Sequence, residues 1–306
     1  MTDTVIAQMA TTPDARLREI MDSLVRHLHA FAREVRLTPE EWLRGIAFLT
    51  AVGQTCTPHR QEFILLSDVL GLSRLVNLMH DAEGREEVAT ETSLLGPFFR
   101  ENAPVLPLGS SIARTPSQAE IVLYGTVRDS EGRPIAGATL DVWQTDEHGL
   151  YDLQRQSPEE MDLRGRFVTD AEGRYHLRTV KPLGYSIPMD GPVGDLIRAQ
   201  KRHGFRPAHI HMMVGATGYR ELVTALYFAD DPHIDSDTVF GVSAALLVRE
   251  RHDDANAPLP GLPSVRFDIV LSRARDQAAG RVGADPARVT GAGRVGADPQ
   301  TITAMR

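Results

Sequence analysis

The chain has 306 residues, of which 42% are hydrophobic and 24% charged, as is ordinary for a globular protein. Its formal net charge of −8 argues against a surface for nucleic acid or anionic membranes. No apolar run approaches the roughly 20 residues that span a bilayer, and residues 1–13 lack the features of a signal peptide. Cys56 is the only cysteine, which excludes an intramolecular disulfide and favours the cytoplasm.

The first 35 residues predict a disordered start followed by one helix. Residues 1–12 lack a periodic apolar pattern, whereas a helix is expected from Pro13 to about Val35. Its apolar side chains are spaced by four and three residues in alternation, as in a heptad seam: Leu17, Met21, Leu24, Leu28, Phe31 and Val35. Such a seam predicts either an amphipathic core helix or a contact between two subunits.

Two more helical stretches follow. Thr38-Pro39-Glu40-Glu41 is a capping box with proline at the first helical position, and it predicts the start of a second helix. Thr57-Pro58 predicts a third, which should break near Gly71 and resume from Leu75 to Met79. Residues 1–91 are therefore expected to form an α-helical domain, and its seam is the candidate dimerisation contact.

The pattern changes to short alternating segments at Thr92. They are separated by turn sequences, and this arrangement predicts an antiparallel β-sandwich over residues 92–275. The predicted strands are Ile121–Val127, Leu140–Val142, Tyr175–Leu177, His209–His211, Leu222–Leu226 and Val265–Leu271. The fold class is thus mainly β, with a helical N-terminus. Residues 276–306, with the repeat Gly280–Pro286 and Gly293–Pro299, predict a flexible tail without an assigned function.

The His209-Ile-His211 pair is the first candidate metal site. Side chains at i and i+2 of a strand point to the same face, which places two imidazoles side by side. Alone the motif is weak, since most such pairs are surface or hydrogen-bonded core residues. Tyr151 and Tyr185 lie in turn or loop settings nearby in the sequence, and each taken singly is an ordinary half-buried tyrosine.

Together these stretches resemble the intradiol ring-cleavage dioxygenases, a family of non-haem iron(III) enzymes. The resemblance covers all but the two ends of the chain, including the helical N-terminus and Leu94-Leu-Gly-Pro-Phe98. Its most specific stretches are Asp141-Val-Trp-Gln144 with Gly149-Leu-Tyr151, Gly165-Arg-Phe-Val-Thr-Asp170 with Gly173-Arg-Tyr175, Val180-Lys-Pro182 with Gly184-Tyr185, and Arg206-Pro-Ala-His-Ile-His211.

The resemblance implies one Fe(3+) per subunit, bound by Tyr151, Tyr185, His209 and His211. Phenolate and imidazole donors suit an oxidised iron better than zinc. Tyr185 would act as both ligand and base. Arg206 would stabilise developing negative charge, although a surface ion pair is its alternative role. An aromatic slot would be lined by Leu94, Leu95, Gly96, Pro97 and Phe98, for which interdomain packing is the alternative.

Within the family, three stretches resemble the hydroxyquinol 1,2-dioxygenases: Thr179-Val-Lys-Pro182, Pro188-Met-Asp-Gly-Pro-Val-Gly-Asp195 and Asp235-Ser-Asp-Thr-Val-Phe-Gly241. They imply O2 and hydroxyquinol (1,2,4-trihydroxybenzene) as substrates and maleylacetate as product. Ala225 departs from the family pattern, where a longer polar residue is usual. A catechol or chlorocatechol 1,2-dioxygenase that yields a muconate is the nearest alternative, and the resemblance also implies a homodimer that can hold a phospholipid.

Two alternatives from other classes are a zinc hydrolase built on His209 and His211 and a non-catalytic β-sandwich binding module. The hydrolase would need a carboxylate or a third histidine as ligand, and none lies in a suitable context. Four acidic residues do not have the spacing of a calcium loop, and they predict a solvated loop instead: Asp230, Asp231, Asp235 and Asp237.

Overall fold

A computed structural model describes residues 1–57, 60–115, 117, 119–155 and 160–274. Contacts between residues divide the chain into two compact units, Met1–Gln54 and a second unit that begins at Thr55. Within the described ranges, no single helix has the length and apolar character to cross a membrane; two helices joined by a 72° bend meet those criteria only as a pair. The predicted tail, 276–306, lies outside the described residues, and the predicted boundary at residue 91 stays a prediction.

The first unit is helical. It contains α1 (Thr2–Met9), α2 (Ala15–Glu34) and α3 (Pro39–Thr55), the last of which ends one residue into the second unit. Asp14 caps α2 by accepting hydrogen bonds from two backbone N–H groups. The capping box of α3 is confirmed, since the Thr38 N–H donates to Glu41 Oε2 at 2.9 Å and the Glu41 N–H donates to Thr38 Oγ1 at 3.2 Å.

The prediction that residues 1–12 are disordered is wrong, because α1 occupies most of them. This helix is held by contacts with α2 that are remote in sequence. The hydroxyl of Thr2 lies 3.0 Å from Nδ1 of His29 and also accepts a hydrogen bond from Arg33. No residue of α2 itself is buried, and its predicted apolar seam is exposed.

Two helices open the second unit, α4 (Glu62–Val69) and α5 (Leu72–Gly84). The predicted break between them is confirmed at Gly71, which has a φ of +74° that favours glycine. The predicted start at Thr57-Pro58 is early, since α4 begins at Glu62, and Pro58 lies outside the described residues.

The rest of the second unit is mainly β, as predicted. Eleven strands and one helix are described: β1 (Glu120–Asp129), β2 (Thr139–Gln144), β3 (Arg164–Val168), β4 (Arg174–Val180), β5 (Tyr185–Ser186), α6 (Pro192–Ala199), β6 (Phe205–Arg206), β7 (His209–Gly215), β8 (Leu222–Phe228), β9 (Leu247–Val248), β10 (Ser264–Arg266) and β11 (Ile269–Leu271).

Two larger sheets and one small ladder contain these strands. One sheet has five strands in the order β3-β2-β7-β8-β9, and the other joins β4, β10 and β11 to β1. Pairing is antiparallel through the middle of both sheets, whereas β9, β10 and β11 add at the edges in parallel. The predicted strand Val265–Leu271 is divided between β10 and β11, both of which pair with β1. The third sheet is the β5-β6 ladder.

The hydrophobic core lies between the two larger sheets, and it decides which face of the five-stranded sheet carries the site. Alternate residues of β7 point to opposite faces. Ile210, Met212 and Val214 are fully buried in the core. His209 and His211 therefore point to the outer face of the same sheet, where a separate cluster contains Phe98, Trp143, Tyr151 and Tyr185.

Candidate metal centre and substrate pocket

The two histidines are held between neighbouring strands. In the antiparallel register His211 lies opposite Trp143 of β2 and Ala225 of β8, while His209 lies opposite Tyr227 of β8. The Trp143 ring stacks flat on the His211 ring, with centroids 4.9 Å apart and an interplanar angle of 3°. Sheet register and aromatic packing thus fix both imidazoles, and their exposed fractions are only 2% and 1%.

Both imidazoles are set up as neutral nitrogen donors. Nδ1 of His209 lies 2.6 Å from the carbonyl oxygen of Pro207 and donates to it, which leaves a lone pair on Nε2. The Nε2 atoms of His209 and His211 lie 3.1 Å apart. Burial lowers the pKa of both histidines well below the ordinary value, and the charge of Arg206 lowers it further. Neither is protonated at neutral pH.

Tyr151 and Tyr185 complete the cluster from two segments outside the larger sheets. Tyr151 Oη lies 3.5 Å from His209 Nε2, and the two tyrosine rings are nearly perpendicular, with centroids 5.5 Å apart. Tyr151 precedes a 3-10 turn, and its backbone N–H donates to Gln154 Oε1 at 3.0 Å. Tyr185 begins β5 rather than lying in a loop. Burial raises the pKa of both phenols, so both stay protonated unless a strong cation binds them.

This donor set fits a metal that accepts phenolate. Two neutral imidazoles and two phenols, all buried, converge without a carboxylate. In the part of the chain that the structure describes, no group of three or more His, Cys, Asp or Glu side chains could hold a metal. A zinc site built from those usual ligands therefore lacks donors here. Two phenols are oxygen donors that would suit a harder, more highly charged ion.

Arg206 is brought to the cluster by the β5-β6 ladder, in which it pairs directly with Tyr185. It is 2% exposed, so the alternative of a surface ion pair is wrong. Its Nε donates to Asp237 Oδ1 at 3.2 Å, and Nη2 donates to Tyr227 Oη at 3.3 Å. Nη1 lies 3.2 Å from Nε2 of His209. Burial lowers the pKa of Arg206, but the combined effect of Asp237, Tyr185 and Tyr227 is larger and holds that pKa well above the ordinary value.

Asp237 is the site residue that the sequence did not reveal. It was expected in a solvated loop, yet it is 7% exposed and accepts from the backbone N–H groups of Val239 and Gly241 at 3.2 and 2.9 Å. No local pattern separates it from Asp235, which is exposed. The difference arises from Arg206, which lies 31 residues away in sequence.

The connector over residues 94–98 covers the outer face of the cluster. Gly96 has a φ of +72°, and a Cβ there would lie 3.5 Å from the His211 ring. Phe98 stacks on Tyr151 with centroids 4.4 Å apart. Leu94 is 2% exposed and Leu95 39% exposed, so only the former is enclosed.

A cavity of about 380 Å³ opens beside Pro97 and Phe98. Its lining contains both apolar and polar residues: Leu65, Leu153 and Pro188 are apolar, and Arg60, Gln61, Glu62, Gln154 and Asp190 are polar. Another cavity, of about 540 Å³, is lined by residues within 201–203 and 234–242, including Asp237. None of the four candidate ligands lines either cavity. The first cavity is the candidate substrate pocket because Phe98 joins it to the tyrosines.

Comparison with protein families gives two matches. A family described as "Dioxygenase" matches residues 95–273, and one described as "Catechol dioxygenase N terminus" matches residues 14–87. Together the two matches cover most of the chain.

Named relatives are similar over nearly their whole length. The chain is 49% identical over 272 residues to the 6-chlorohydroxyquinol 1,2-dioxygenase of Cupriavidus pinatubonensis, covering 89% of this chain and 96% of that protein. It is 46% identical over 279 residues to the hydroxyquinol 1,2-dioxygenase of a Rhizobium species, covering 89% and 94%. The structure of hydroxyquinol 1,2-dioxygenase from Pseudomonas putida matches with a TM-score of 0.81 at 45% identity, covering 89% and 97%. Catechol 1,2-dioxygenase of Acinetobacter radioresistens matches with a TM-score of 0.79 at 26% identity, covering 93% and 96%.

Proposed function

Since the chain belongs to the intradiol ring-cleavage dioxygenase family, we propose that it uses iron(III) to cleave hydroxyquinol with O2 to maleylacetate. The observation that carries the proposal is the buried convergence of Tyr151, His209 and His211. Tyr151 Oη and His211 Nε2 lie 3.5 and 3.1 Å from His209 Nε2, and the Tyr185 ring packs beside the Tyr151 ring. Similarity to two relatives named for hydroxyquinol substrates, at 49% and 46% identity, supports the choice of diol.

Tyr151, Tyr185, His209 and His211 would hold the iron. When bound, Fe(3+) would supply a Lewis acid that takes both oxygens of a catechol-type diol and makes the ring reactive toward O2. The chain's own contribution is to keep the two histidines neutral and fixed, and to offer two phenols that a trivalent cation can deprotonate.

Tyr185 is the proposed base. As a phenolate, its own proton having been released to solvent when the cation bound, Tyr185 Oη would receive the proton of one diol hydroxyl. Burial raises the pKa of this phenol and so favours the protonated product. The neighbouring guanidinium of Arg206 opposes that effect without abolishing it. The same guanidinium would stabilise negative charge on the deprotonated diol. Asp237 and Tyr227 hold it in place, so little reorganisation is needed.

The aromatic ring of the diol would enter through the 380 Å³ cavity and pack against Pro97 and Phe98. Leu94 and Gly96 would close the slot against the histidines, and Leu95 would contact its outer edge. The apolar lining residues would exclude water from the reacting ring. The polar lining residues would give the third hydroxyl of hydroxyquinol hydrogen-bonding partners. Catechol lacks that hydroxyl, and we therefore expect it to be the poorer substrate.

The first experiment is a visible absorption spectrum of the iron-loaded protein, before and after anaerobic addition of hydroxyquinol. A tyrosinate-to-iron(III) charge-transfer band that shifts with the diol is expected. Tyr151→Phe and Tyr185→Phe should each change or remove the band, whereas Tyr219→Phe, outside the cluster, should retain it. A colourless protein after iron loading would refute the four-ligand assignment. Turnover of catechol at least as fast as hydroxyquinol would refute the substrate assignment and favour a muconate-forming activity.

We also propose that α2 mediates a homodimer. No residue of α2 is buried, and its seam residues are between 45% and 54% exposed: Leu17, Leu24, Leu28, Phe31 and Val35. Apolar area of this kind is stabilised by pairing with a second copy, and the acyl chain of a phospholipid is a further proposed occupant. Light scattering should give a dimer that Leu28→Glu dissociates, while Glu19→Gln should not. A wild-type monomer would refute the interface, and organic extraction with mass spectrometry tests for the lipid.

Two organisational proposals remain. We place a functional boundary between residues 91 and 92, supported by family matches that lie on either side of it. Limited proteolysis should cut near this point.

We place the protein in the cytoplasm, where a chain with one cysteine needs no oxidising environment; fractionation of the producing cells tests this.

A further inference from the structure

A buried ion pair lies directly beside Tyr151 in the chain. Arg164 donates from Nε to Asp152 Oδ2 at 2.7 Å and from Nη2 to Asp152 Oδ1 at 2.5 Å, a two-pronged contact. Both side chains are 2% exposed. Arg100 adds a third hydrogen bond, from Nη1 to Asp152 Oδ2 at 3.1 Å. Asp152 is thus fixed from two sides, and it is covalently joined to Tyr151.

The same arginine also contacts the histidine side of the cluster through the sheet. In the register of β2 and β3, Arg164 lies opposite Trp143, and the Trp143 ring is the one that stacks on His211. One side chain therefore connects two candidate ligands that are 60 residues apart.

Stability alone does not account for such a pair. Removing two charges from water costs about as much as their attraction returns, and apolar replacements are often neutral or stabilising. Arg164 also has its Nη1 buried without a hydrogen-bond partner among the described residues. A neighbouring pair provides the contrast. Arg166, on the same strand as Arg164, makes the same two-pronged contact with Asp141 of β2 at 2.8 Å, but these side chains are 37% and 12% exposed.

We propose that Asp152 and Arg164 are positioning residues that hold the Tyr151 phenol at the donor distance the iron requires. This inference rests on the proposed function, because it assigns the pair a task at the iron site. Partners that orient metal ligands typically change affinity or activity by about 10- to 100-fold when removed. The two-pronged geometry is essential to the role, since a lysine keeps the charge but cannot reproduce the planar fork.

The test compares four forms of the full chain: wild type, Arg164→Lys, the double variant Asp152→Asn/Arg164→Met, and Arg166→Met. The double variant removes both fully buried charges together, and the asparagine oxygen can still accept a hydrogen bond from Arg100, whose side chain is 17% exposed. It therefore avoids leaving either member of the fully buried pair without its partner; circular dichroism checks its fold. For each form we would measure iron(III) affinity, the position of the charge-transfer band, and kcat and KM for hydroxyquinol.

We expect the double variant to fold, to bind iron(III) about 10- to 100-fold more weakly and to shift the band. Its kcat should fall while KM changes little, because the substrate pocket is intact. Arg164→Lys should lie between this variant and wild type, and Arg166→Met should match wild type. A double variant with wild-type affinity, band and kcat would overturn the inference alone, as would an equal loss in Arg166→Met. A wild-type protein without any band would overturn the proposed function as well.

Discussion

The pair Arg206–Asp237 allows a prediction whose size follows from burial. Asp237→Asn keeps the shape of the side chain but removes the only negative charge that contacts the guanidinium in the described structure. The Arg206 and Asp237 side chains are 3% and 2% exposed, so solvent cannot replace the lost partner. Breaking a buried pair costs about 3–5 kcal/mol. We expect the lower end, about 3 kcal/mol, because the asparagine oxygen can still accept one hydrogen bond.

A loss of this size lowers the ratio of folded to unfolded protein roughly 100-fold. Urea unfolding followed by circular dichroism measures it, and the slope of the transition should stay unchanged. The matched control is Glu172→Gln. Its partner Arg174 lies at 2.8 Å, but these side chains are 62% and 61% exposed, so the change should stay below about 1 kcal/mol. The reasoning fails if Asp237→Asn also stays below that value, or if the control loses as much.

Three further predictions concern the connector and the helix beside it. Burial raises the pKa of Asp68 to about 6 from 3.8, so the folded state binds the extra proton and loses stability as pH rises through this interval. Asp68→Asn should remove that loss. In urea unfolding, the free energy of unfolding of the variant should rise by about 3 kcal/mol relative to wild type between pH 4 and pH 7.5; parallel plots of this free energy against pH would contradict the prediction. Gly96→Ala should lower the free energy of unfolding by about 1–2 kcal/mol in the same assay, because Gly96 has a positive φ. An unchanged urea midpoint would contradict this prediction. Phe98→Ala should lower the free energy of unfolding by about 3 kcal/mol. It should also raise KM for the diol more than Phe98→Leu does, and equal KM values for the two variants would exclude packing of the diol ring on Phe98.

The sequence was informative wherever a local period or a turn signal decides the structure. The i, i+2 spacing of His209 and His211 correctly predicts two imidazoles on one face of a strand, and Gly71 correctly marks the break between α4 and α5. Both depend on backbone geometry within a few residues. The mainly β body is predicted for the same reason, since core residues alternate along β1, β2 and β7.

Features that depend on remote partners could not be predicted. Tyr185 and Arg206 face each other in a ladder of only two residues per strand, too short to show any period. Helix α1 is held by side chains 27 and 31 residues away, and residues 1–12 alone carry no such signal. Burial of a charged residue such as Asp237 likewise depends on a partner that propensity does not encode.

The alternation along β7 restricts how this strand can evolve. Each imidazole is flanked by a core residue, so inserting or deleting one residue would move Ile210 and Met212 to the outer face and both histidines into the core. Folding and ligand placement would fail together. A two-residue insertion or deletion preserves the alternation of faces, so length changes in this strand are restricted to even numbers. Point substitution is left as the main route by which the outer face can acquire new chemistry while the core stays intact.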